Sequence, residues 1–148
     1  MSKVIIGCDP DSKAHGIAVY IDGKLTHLFN ANCIDLMKFI NDELFAYSDI
    51  VAHVENVKGS NAVFMPPSRA SNKLIAEAKA RGRTLGMCQQ SQTELERVFE
   101  HFNIEVVHHK ISKRWKKQKE EFERVTGWKK RSNEDNRSAA YFGLIGCK

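Results

Sequence analysis

The dipeptide Asp22-Gly23 constrains the fold more than any other short feature of the sequence. It separates two runs rich in β-forming residues, Gly16–Tyr20 and Lys24–Phe29, and an Asp-Gly pair in this setting is typical of a two-residue hairpin turn. The preceding run, Val4–Asp9, is rich in β-branched residues and stops at Asp-Pro-Asp, which indicates a buried strand followed by a turn. We therefore expect the chain to begin with three sequential antiparallel strands.

After the hairpins the pattern alternates between helical and strand-like segments. The first predicted elements are a helix at Ile34–Phe45, a strand at Asp49–Val57, and a helix at Ser68–Lys79 that breaks around Gly82 and Gly86 and resumes at Thr93–Phe102. A strand at Ile104–His109 follows, and then a partly helical segment from about Lys113 to Val125 that stops at Gly127. The last predicted helix is capped by Ser132 or Asn133 and runs to Leu144. The order βββαβαβα predicts an α/β fold in which a mixed five-stranded sheet is flanked by helices. A length of 148 residues suits one domain.

Positive charge is concentrated in the segment 110–131. This segment carries ten Lys and Arg against three Glu, a net charge of +7, and since the whole chain carries +5, the rest carries −2. Such a concentration indicates a surface that binds a polyanion. A solvated helix face with i,i+4 pairs such as Lys116–Glu120 is the alternative interpretation, and charge alone does not choose between the two.

Cysteine spacing and hydropathy exclude several classes of protein. The four cysteines, at positions 8, 33, 88 and 147, form no C-x-x-C pair, so neither a zinc knuckle nor a disulfide framework is expected. No apolar run approaches the roughly 20 residues that span a bilayer. The first residues lack the layout of a secretory signal, and a cytoplasmic location is therefore predicted.

Three acidic residues occur where buried chemistry could use them. Asp9 ends the first predicted strand, Glu55 lies inside a strand of Val, Ala, His and Asn, and Asp135 lies in the first turn of the last predicted helix. A carboxylate in a core strand is costly unless it is paired or bound to a cation. Taken singly, Asp9 could be a turn residue, Asp135 a partner of the helix dipole and Glu55 a satisfied edge position. Their occurrence together on successive elements favours a shared site.

Four short motifs follow one another in an order that is fairly specific. They are Ile5-Ile6-Gly7-Cys8-Asp9-Pro10-Asp11 with Gly16-Ile17-Ala18, then Val54-Glu55, then Gly82-Arg83-x-x-Gly86, and then the stretch from Thr126 to Glu134. This set resembles the RuvC-like Holliday-junction resolvases of the ribonuclease H-like superfamily, in particular phage-encoded members. The resemblance covers nearly the whole chain, and it implies a single nuclease domain over residues 1–148 with a basic insertion at about 110–131.

The resemblance implies that Asp9, Glu55 and Asp135 hold two Mg²⁺ ions for phosphodiester hydrolysis, with Mn²⁺ as an expected substitute. Hard oxygen ligands suit magnesium. In this family the last helix presents a second acidic or His/Asp position three residues after the first, but here that position is Ser138. Three explanations stay open: Ser138 was introduced to inactivate the protein, the site needs only three carboxylates, or catalysis is naturally lost. Glu134 is a candidate to compensate.

Charge and resemblance together predict the surfaces that contact DNA. Phosphate contacts are expected from Lys58, Arg83, Lys113, Arg114, Lys116, Lys117, Lys119, Lys129, Lys130 and Arg131. In the loop after the second acidic strand, Phe64 and Met65 could wedge between unstacked bases, or else fold onto the core. Because a four-way junction is two-fold symmetric, a homodimer is the expected assembly.

The predicted function is therefore that of a metal-dependent, structure-selective DNA endonuclease that resolves Holliday junctions or other branched DNA. Neither a membrane nor a small-molecule substrate is expected as a partner, and the location would be the host cytoplasm if the chain is phage-encoded. One alternative is a ribonuclease H-fold nuclease that acts on flaps or hybrids. Another is a catalytically weakened protein that binds branched DNA. An actin-like or sugar-kinase ATPase is rejected, because that class needs two such domains around a nucleotide and 148 residues cannot supply both.

Overall fold

The computed structural model describes residues 2–59 and 71–148. Its elements in chain order are β1 (Lys3–Asp9), β2 (His15–Ile21), β3 (Lys24–Ala31), α1 (Cys33–Glu43), β4 (Asp49–Glu55), a turn of 3₁₀-helix (Val57–Gly59), α2 (Asn72–His101), β5 (Glu105–His109), α3 (Lys119–Thr126) and α4 (Glu134–Gly146). None of the described helices is both long and apolar enough to span a membrane.

The strands form one mixed sheet in the order β3-β2-β1-β4-β5. The β1–β2 and β2–β3 pairs are antiparallel, whereas β1–β4 and β4–β5 are parallel. At the β2–β3 turn, Asp22 and Gly23 both have positive φ, 51° and 83°, as the tight hairpin requires. The predicted α/β class and the mixed five-stranded sheet are confirmed.

Helices cover both faces of the sheet because the side chains of its strands alternate. On β1, Val4 and Ile6 pack in a core with buried residues of α1 and α2, such as Leu36 and Phe99. Ile5 faces the other way, into a second core that contains Trp115, Phe122, Ala139 and Ala140, from the basic segment and α4. The basic segment and α4 therefore share one face of the sheet.

Helix α4 lies directly on β1 and β2 because glycines remove the side chains between them. A Cβ atom at Gly7 would lie 2.0 Å from the backbone oxygen of Ala139, and one at Gly143 would lie 2.6 Å from the ring of Tyr20. The Tyr20 hydroxyl donates a hydrogen bond to the backbone oxygen of Ala140 at 2.7 Å. This close packing fixes α4 against β2 and against β1, the strand that ends at Asp9.

Two predictions about helices are wrong. Helix α2 is continuous from Asn72 to His101, without the break expected around Gly82 and Gly86. Glycine in a helix costs only about 1 kcal/mol relative to alanine, which 30 residues of helix tolerate. The helix in the basic segment begins at Lys119 rather than about Lys113, because Trp115 adopts a φ of 67° that no right-handed helix contains.

Smaller differences concern element boundaries. Glu55 is the last residue of β4 and does not lie inside that strand. The predicted stop at Gly127 is confirmed by its φ of 73°, and Asn133, one of the two predicted caps, caps α4.

Candidate active site

Asp9 and Glu55 lie side by side at the carboxyl ends of two neighbouring strands. The strands β1 and β4 are parallel and pair Cys8 with Val54, so that the next residue along each strand is the acidic one. Both acidic side chains are buried, with 4% exposure for Asp9 and 6% for Glu55. The pairing of β1 with β4 therefore brings together two carboxylates that are far apart in the sequence.

Asp135 reaches the same edge of the sheet because α4 begins directly over β2. Asn133 caps the helix: its side chain accepts from the Asn136 N–H at 2.9 Å, and the Asn136 side chain accepts from the Asn133 N–H at 2.8 Å. Gly16 is the β2 partner of Asp9, and a Cβ atom there would lie 2.3 Å from the backbone oxygen of Asp135. Glycine at this position therefore lets the first helical turn contact the strands.

Ser138 lies one turn after Asp135 and is fully buried. Its hydroxyl makes no hydrogen bond of normal geometry within the described chain. Burial raises the pKa of the Asp9 carboxyl, and the nearby Ser138 hydroxyl lowers it by a smaller amount. The position where the resemblance leads us to expect a further acidic ligand is thus close to Asp9, and it holds a neutral hydroxyl.

Lys116 enters the cluster of carboxylates from the basic segment. Its Nζ lies 3.3 Å from Asp9 Oδ2 and 3.8 Å from Asp135 Oδ1. Arg137, buried in α4, holds this stretch of backbone: its Nε donates to the Trp115 oxygen at 3.0 Å and its Nη2 to the Lys116 oxygen at 2.6 Å. Sequence reasoning expected Lys116 on the DNA-binding surface and missed its contact with the acidic residues, for which no local signal exists.

These side chains line an open cleft of about 640 Å³. Asp9, Glu55, Asp135 and Lys116 line it together with residues of α2. Asp11, two residues after Asp9, also lines the cleft. Asp11 belongs to the first sequence motif but is not among the predicted site residues, although its spacing from Asp9 in Asp-Pro-Asp is a signal for a second acidic side chain there.

Burial gives the carboxyl groups pKa values that are unusual for acids. Burial, with the charge of Asp9 added, raises the pKa of Glu55 to about 7, although Lys116 acts in the opposite direction. Burial and Asp9 likewise raise the pKa of Asp135 to about 6. The pKa of Asp9 is also raised, because its burial outweighs the ammonium of Lys116. Each of these carboxyl groups therefore releases its proton less readily than an exposed acid does.

No protein-family model matches the sequence, and no curated protein matches it significantly.

The fold, in contrast, is similar to that of RuvC from Thermus thermophilus. The structure of T. thermophilus RuvC in complex with a Holliday junction substrate matches 96% of this chain and 90% of that chain, with 13% identity and a TM-score of 0.56. A second T. thermophilus RuvC structure matches 95% of this chain and 91% of that chain, with 13% sequence identity and a TM-score of 0.53. The chain has the RuvC-type ribonuclease H-like fold. A Fowlpox virus resolvase in complex with Holliday junction DNA matches 97% of both chains, with 14% identity and a TM-score of 0.49.

Within this RuvC-type fold, the oxygen atoms of the cleft fit a divalent cation. Asp9 Oδ2 and Glu55 Oε2 are buried and accept no hydrogen bond from the described residues, although the Lys116 ammonium approaches the first of them. Carboxylate oxygens are the ligands that Mg²⁺ prefers. In residues 2–59 and 71–148, no three His, Cys, Asp or Glu side chains are placed so that they could hold one metal ion together. Magnesium is usually held by one or two carboxylates and completes its shell with water, so a closed cage is not required.

The other predicted DNA contacts lie on exposed parts of the RuvC-type fold. Lys58 lies in the 3₁₀ turn after β4 and forms an ion pair of 2.8 Å with Glu96, and Arg83 is exposed on α2. The exposed cations of the basic segment are Lys110, Lys113, Arg114, Lys117, Lys119, Arg124, Lys129, Lys130 and Arg131. Phe64 and Met65, the predicted wedge, lie outside the described residues.

A buried amide on α2 holds the strand end that carries Glu55. Gln92 is fully buried, and its Nε2 donates to Asn56 Oδ1 at 3.1 Å and to Glu96 Oε1 at 2.9 Å. Its Oε1 accepts from the backbone N–H of Lys58 at 2.9 Å. Because Asn56 directly follows Glu55, these bonds restrain the position of the carboxylate. A single Gln in a helix carries no sequence signal for such a role.

Proposed function

We propose that this chain is a metal-dependent, structure-selective DNA endonuclease that resolves Holliday junctions or other branched DNA. The observation that carries the proposal is that Asp9, Glu55 and Asp135, from three different elements, line one cleft in a RuvC-type fold. The buried Glu55 Oε2 atom, which has no hydrogen-bond partner among the described residues, supports it, because a buried carboxylate oxygen is costly unless a cation or a donor satisfies it. RuvC of this fold has been solved with a Holliday junction substrate, which favours branched DNA as the class of ligand.

Each side chain of the cleft has a part in the proposed reaction. Asp9, Glu55 and Asp135 would hold two Mg²⁺ ions, or Mn²⁺ in their place, through carboxylate oxygens. When bound, such ions activate a water molecule and stabilise the charge that develops on the phosphate. Ser138 offers a neutral hydroxyl beside Asp9. Lys116 keeps the cluster partly neutral, so an incoming divalent ion must compete with its ammonium group.

The proposal extends to the DNA and the assembly. The exposed cations of the basic segment, together with Lys58 and Arg83, would contact phosphates and give affinity without base specificity. Phe64 and Met65 remain the proposed wedge. A homodimer would match the two-fold symmetry of a four-way junction. The proposal assigns residues 1–148 to one nuclease domain that acts on DNA in the cytoplasm.

Cleavage of synthetic four-way junctions in Mg²⁺ tests this proposal, with linear duplex, flap and RNA–DNA hybrid substrates beside them. The unsubstituted chain is expected to cut the junction, and Asp9→Asn and Glu55→Gln are expected to abolish cutting. Glu105→Gln, which changes an exposed Glu on β5, serves as the matched control and should cut normally. If the chain cuts flaps or hybrids in preference to the junction, its substrate is one of those structures and not the Holliday junction.

Ser138 supports a second candidate function, that of a catalytically weakened protein that binds branched DNA. A hydroxyl is a weaker ligand for magnesium than a carboxylate, and this one is fully buried at the site. Tight binding of the junction without cleavage in either Mg²⁺ or Mn²⁺ would favour this second candidate over the nuclease.

Neutralising exposed lysines of the basic segment tests the proposed DNA surface. In Lys117→Gln/Lys129→Gln/Lys130→Gln, junction affinity should fall and its logarithmic salt dependence should flatten by roughly 0.9 for each lost phosphate contact. Lys24→Gln/Lys38→Gln, which removes exposed lysines elsewhere, is the control. Equal salt slopes for both variants, measured by fluorescence anisotropy, would show that the basic segment is only a solvated face.

A further inference from the structure

The cleft contains a fourth carboxylate, that of Asp11, in addition to the three that the sequence analysis identified. The strand β1 ends at Asp9, the buried Pro10 follows, and Asp11 then lines the same cleft as Asp135. The resemblance had led us to expect the fourth acidic position on α4, where Ser138 stands. The chain therefore has an acidic residue in the cleft, but on a different element.

Local hydrogen bonds hold Asp11 in place. Its backbone N–H donates to Nδ1 of His15 at 3.2 Å, and its Oδ1 accepts from the Lys13 N–H at 3.2 Å and the Ser12 hydroxyl at 3.4 Å. His15 is itself buried, and burial lowers its pKa, so that its ring is neutral and Nδ1 can accept. The turn after β1 thus presents the Asp11 carboxylate in a defined position.

Asp11 shares the cleft with the other acidic residues. Its side chain lines the same space as those of Asp9, Glu55 and Asp135. Carboxylates that share one cleft repel one another unless a proton or a cation lies with them. Among the described residues that line the cleft, four carboxylates face two cationic side chains, Lys116 and Arg81, which gives these six groups a formal charge of −2 when all are ionised.

A separate observation indicates that the cleft awaits a cation. Glu55 Oε2 belongs to a side chain that is only 6% exposed, and it lacks a hydrogen-bond partner in the described part of the chain. Asp9 Oδ2, on a side chain that is 4% exposed, has the Lys116 ammonium at 3.3 Å. A buried carboxylate is costly unless a metal ion or a paired charge satisfies it, so the unpartnered Glu55 oxygen favours a bound cation in the cleft.

We propose that Asp11 is a metal ligand of this site and supplies, from the turn after β1, the carboxylate that position 138 lacks. Asp11 and Asp135 together take the place of the acidic pair that the resemblance led us to expect at positions 135 and 138. The inference rests on the proposed function, since it concerns the metal ions of the same cleft. It also gives a reason why Ser138 is compatible with an active enzyme.

The substitution Asp11→Asn isolates the metal-binding role of this residue. The Asn side chain keeps the size of Asp and an oxygen that can accept from the Lys13 N–H, so the turn is retained while the charge is removed. We expect Mn²⁺ affinity, measured by electron paramagnetic resonance of the free ion, to fall at least about 10-fold. Junction cleavage should fall with it. Asp42→Asn, which changes an exposed residue of α1 outside the cleft, is the matched control and should bind Mn²⁺ normally.

Restoring a carboxylate on α4 provides the second arm of the experiment. Ser138→Asp in the Asp11→Asn background is expected to recover part of the lost Mn²⁺ affinity, because it returns an acidic ligand to the position next to Asp9. Since Ser138 is fully buried, circular dichroism must show that this double variant is folded. If it is not folded, the Mn²⁺ affinity of Asp11→Asn alone decides whether Asp11 is a ligand.

The outcomes separate this inference from the proposed function. If Asp11→Asn binds Mn²⁺ like the unsubstituted chain while Asp9→Asn has lost affinity, Asp11 is not a ligand and the proposed function is unaffected. If Mn²⁺ binding depends on Asp11 but no branched DNA is cut, the inference stands and the proposed function fails. If the unsubstituted chain binds no Mn²⁺, the inference is overturned together with the metal site.

Discussion

Replacing Glu55 with Gln is expected to stabilise the metal-free protein at alkaline pH while it abolishes cleavage. Glu55 is only 6% exposed, and its Oε2 atom has no hydrogen-bond partner among the described residues. Burial, together with the charge of Asp9, raises its pKa to about 7. Gln has nearly the same size and removes the charge that burial disfavours. In this interpretation Glu55 is retained for metal binding at a cost in stability.

The magnitude follows from the difference between a folded-state pKa of about 7 and the ordinary value of 4.5. Because the folded-state pKa is the higher one, stability is fully present below pH 4.5 and is lost as the pH rises through about 7. At about 1.4 kcal/mol per pKa unit, the ionised carboxylate weakens folding by roughly 3 kcal/mol at about pH 8. Burying an amide offsets part of this gain, which leaves about 2 kcal/mol. For a chain of this size, that corresponds to a rise of about 4–8 °C in Tm.

Differential scanning calorimetry in EDTA measures this effect. The gain from Glu55→Gln should be largest at about pH 8 and less than half as large at about pH 5, where much of the penalty is already absent. Glu105→Gln changes an exposed Glu on the neighbouring strand β5 and should leave Tm unchanged at both pH values. A Glu55→Gln protein that is no more stable than the unsubstituted chain at about pH 8 would refute the reasoning, because the buried charge would then carry no penalty.

Divalent metal, an added methyl group at Gly7 and loss of the Gln92 amide each have an expected effect as well. Mg²⁺ should raise Tm more at about pH 8 than at about pH 5, since Glu55 and Asp135 bind the ion in their ionised forms. An equal rise in Tm at both pH values would show that the ion binds outside this cleft. Gly7→Ala puts a Cβ 2.0 Å from the Ala139 oxygen and should cost at least about 3 kcal/mol in urea unfolding, whereas normal stability would contradict the close helix packing. Gln92→Leu should cost about 2 kcal/mol and lower kcat more than junction affinity, whereas equal losses would indicate a structural role alone.

Local backbone signals were sufficient for much of the fold. Asp22-Gly23 forms the predicted turn because both residues adopt positive φ, which depends on the dipeptide itself and hardly on the rest of the molecule. Gly127 ends α3 and Asn133 caps α4 for comparable local reasons. The order of strands and helices, and with it the mixed sheet, could therefore be predicted from the sequence.

Local signals failed where packing overrode them. Gly82 and Gly86 lower helix propensity, but α2 runs through both. Trp115 lies in a stretch that was expected to be helical, yet its ring is buried in the core beside Phe122 and its backbone leaves the helical region. In α2 the free energy of a 30-residue helix outweighed a local cost of about 1 kcal/mol at each glycine, whereas at Trp115 the burial of the ring outweighed the helical preference of the backbone.

The sequence by itself determined the types of the elements, their order and the three acidic residues that end or begin them. Only the tertiary structure decided how the cleft is assembled: the parallel pairing of β1 with β4 sets Asp9 beside Glu55, and Arg137 holds the backbone from which Lys116 reaches the acidic residues. The physical reason is the separation along the sequence of the residues in contact. A turn or a cap depends on a few neighbouring residues, whereas the contacts of the cleft join segments far apart in the chain and form only when the complete core is packed.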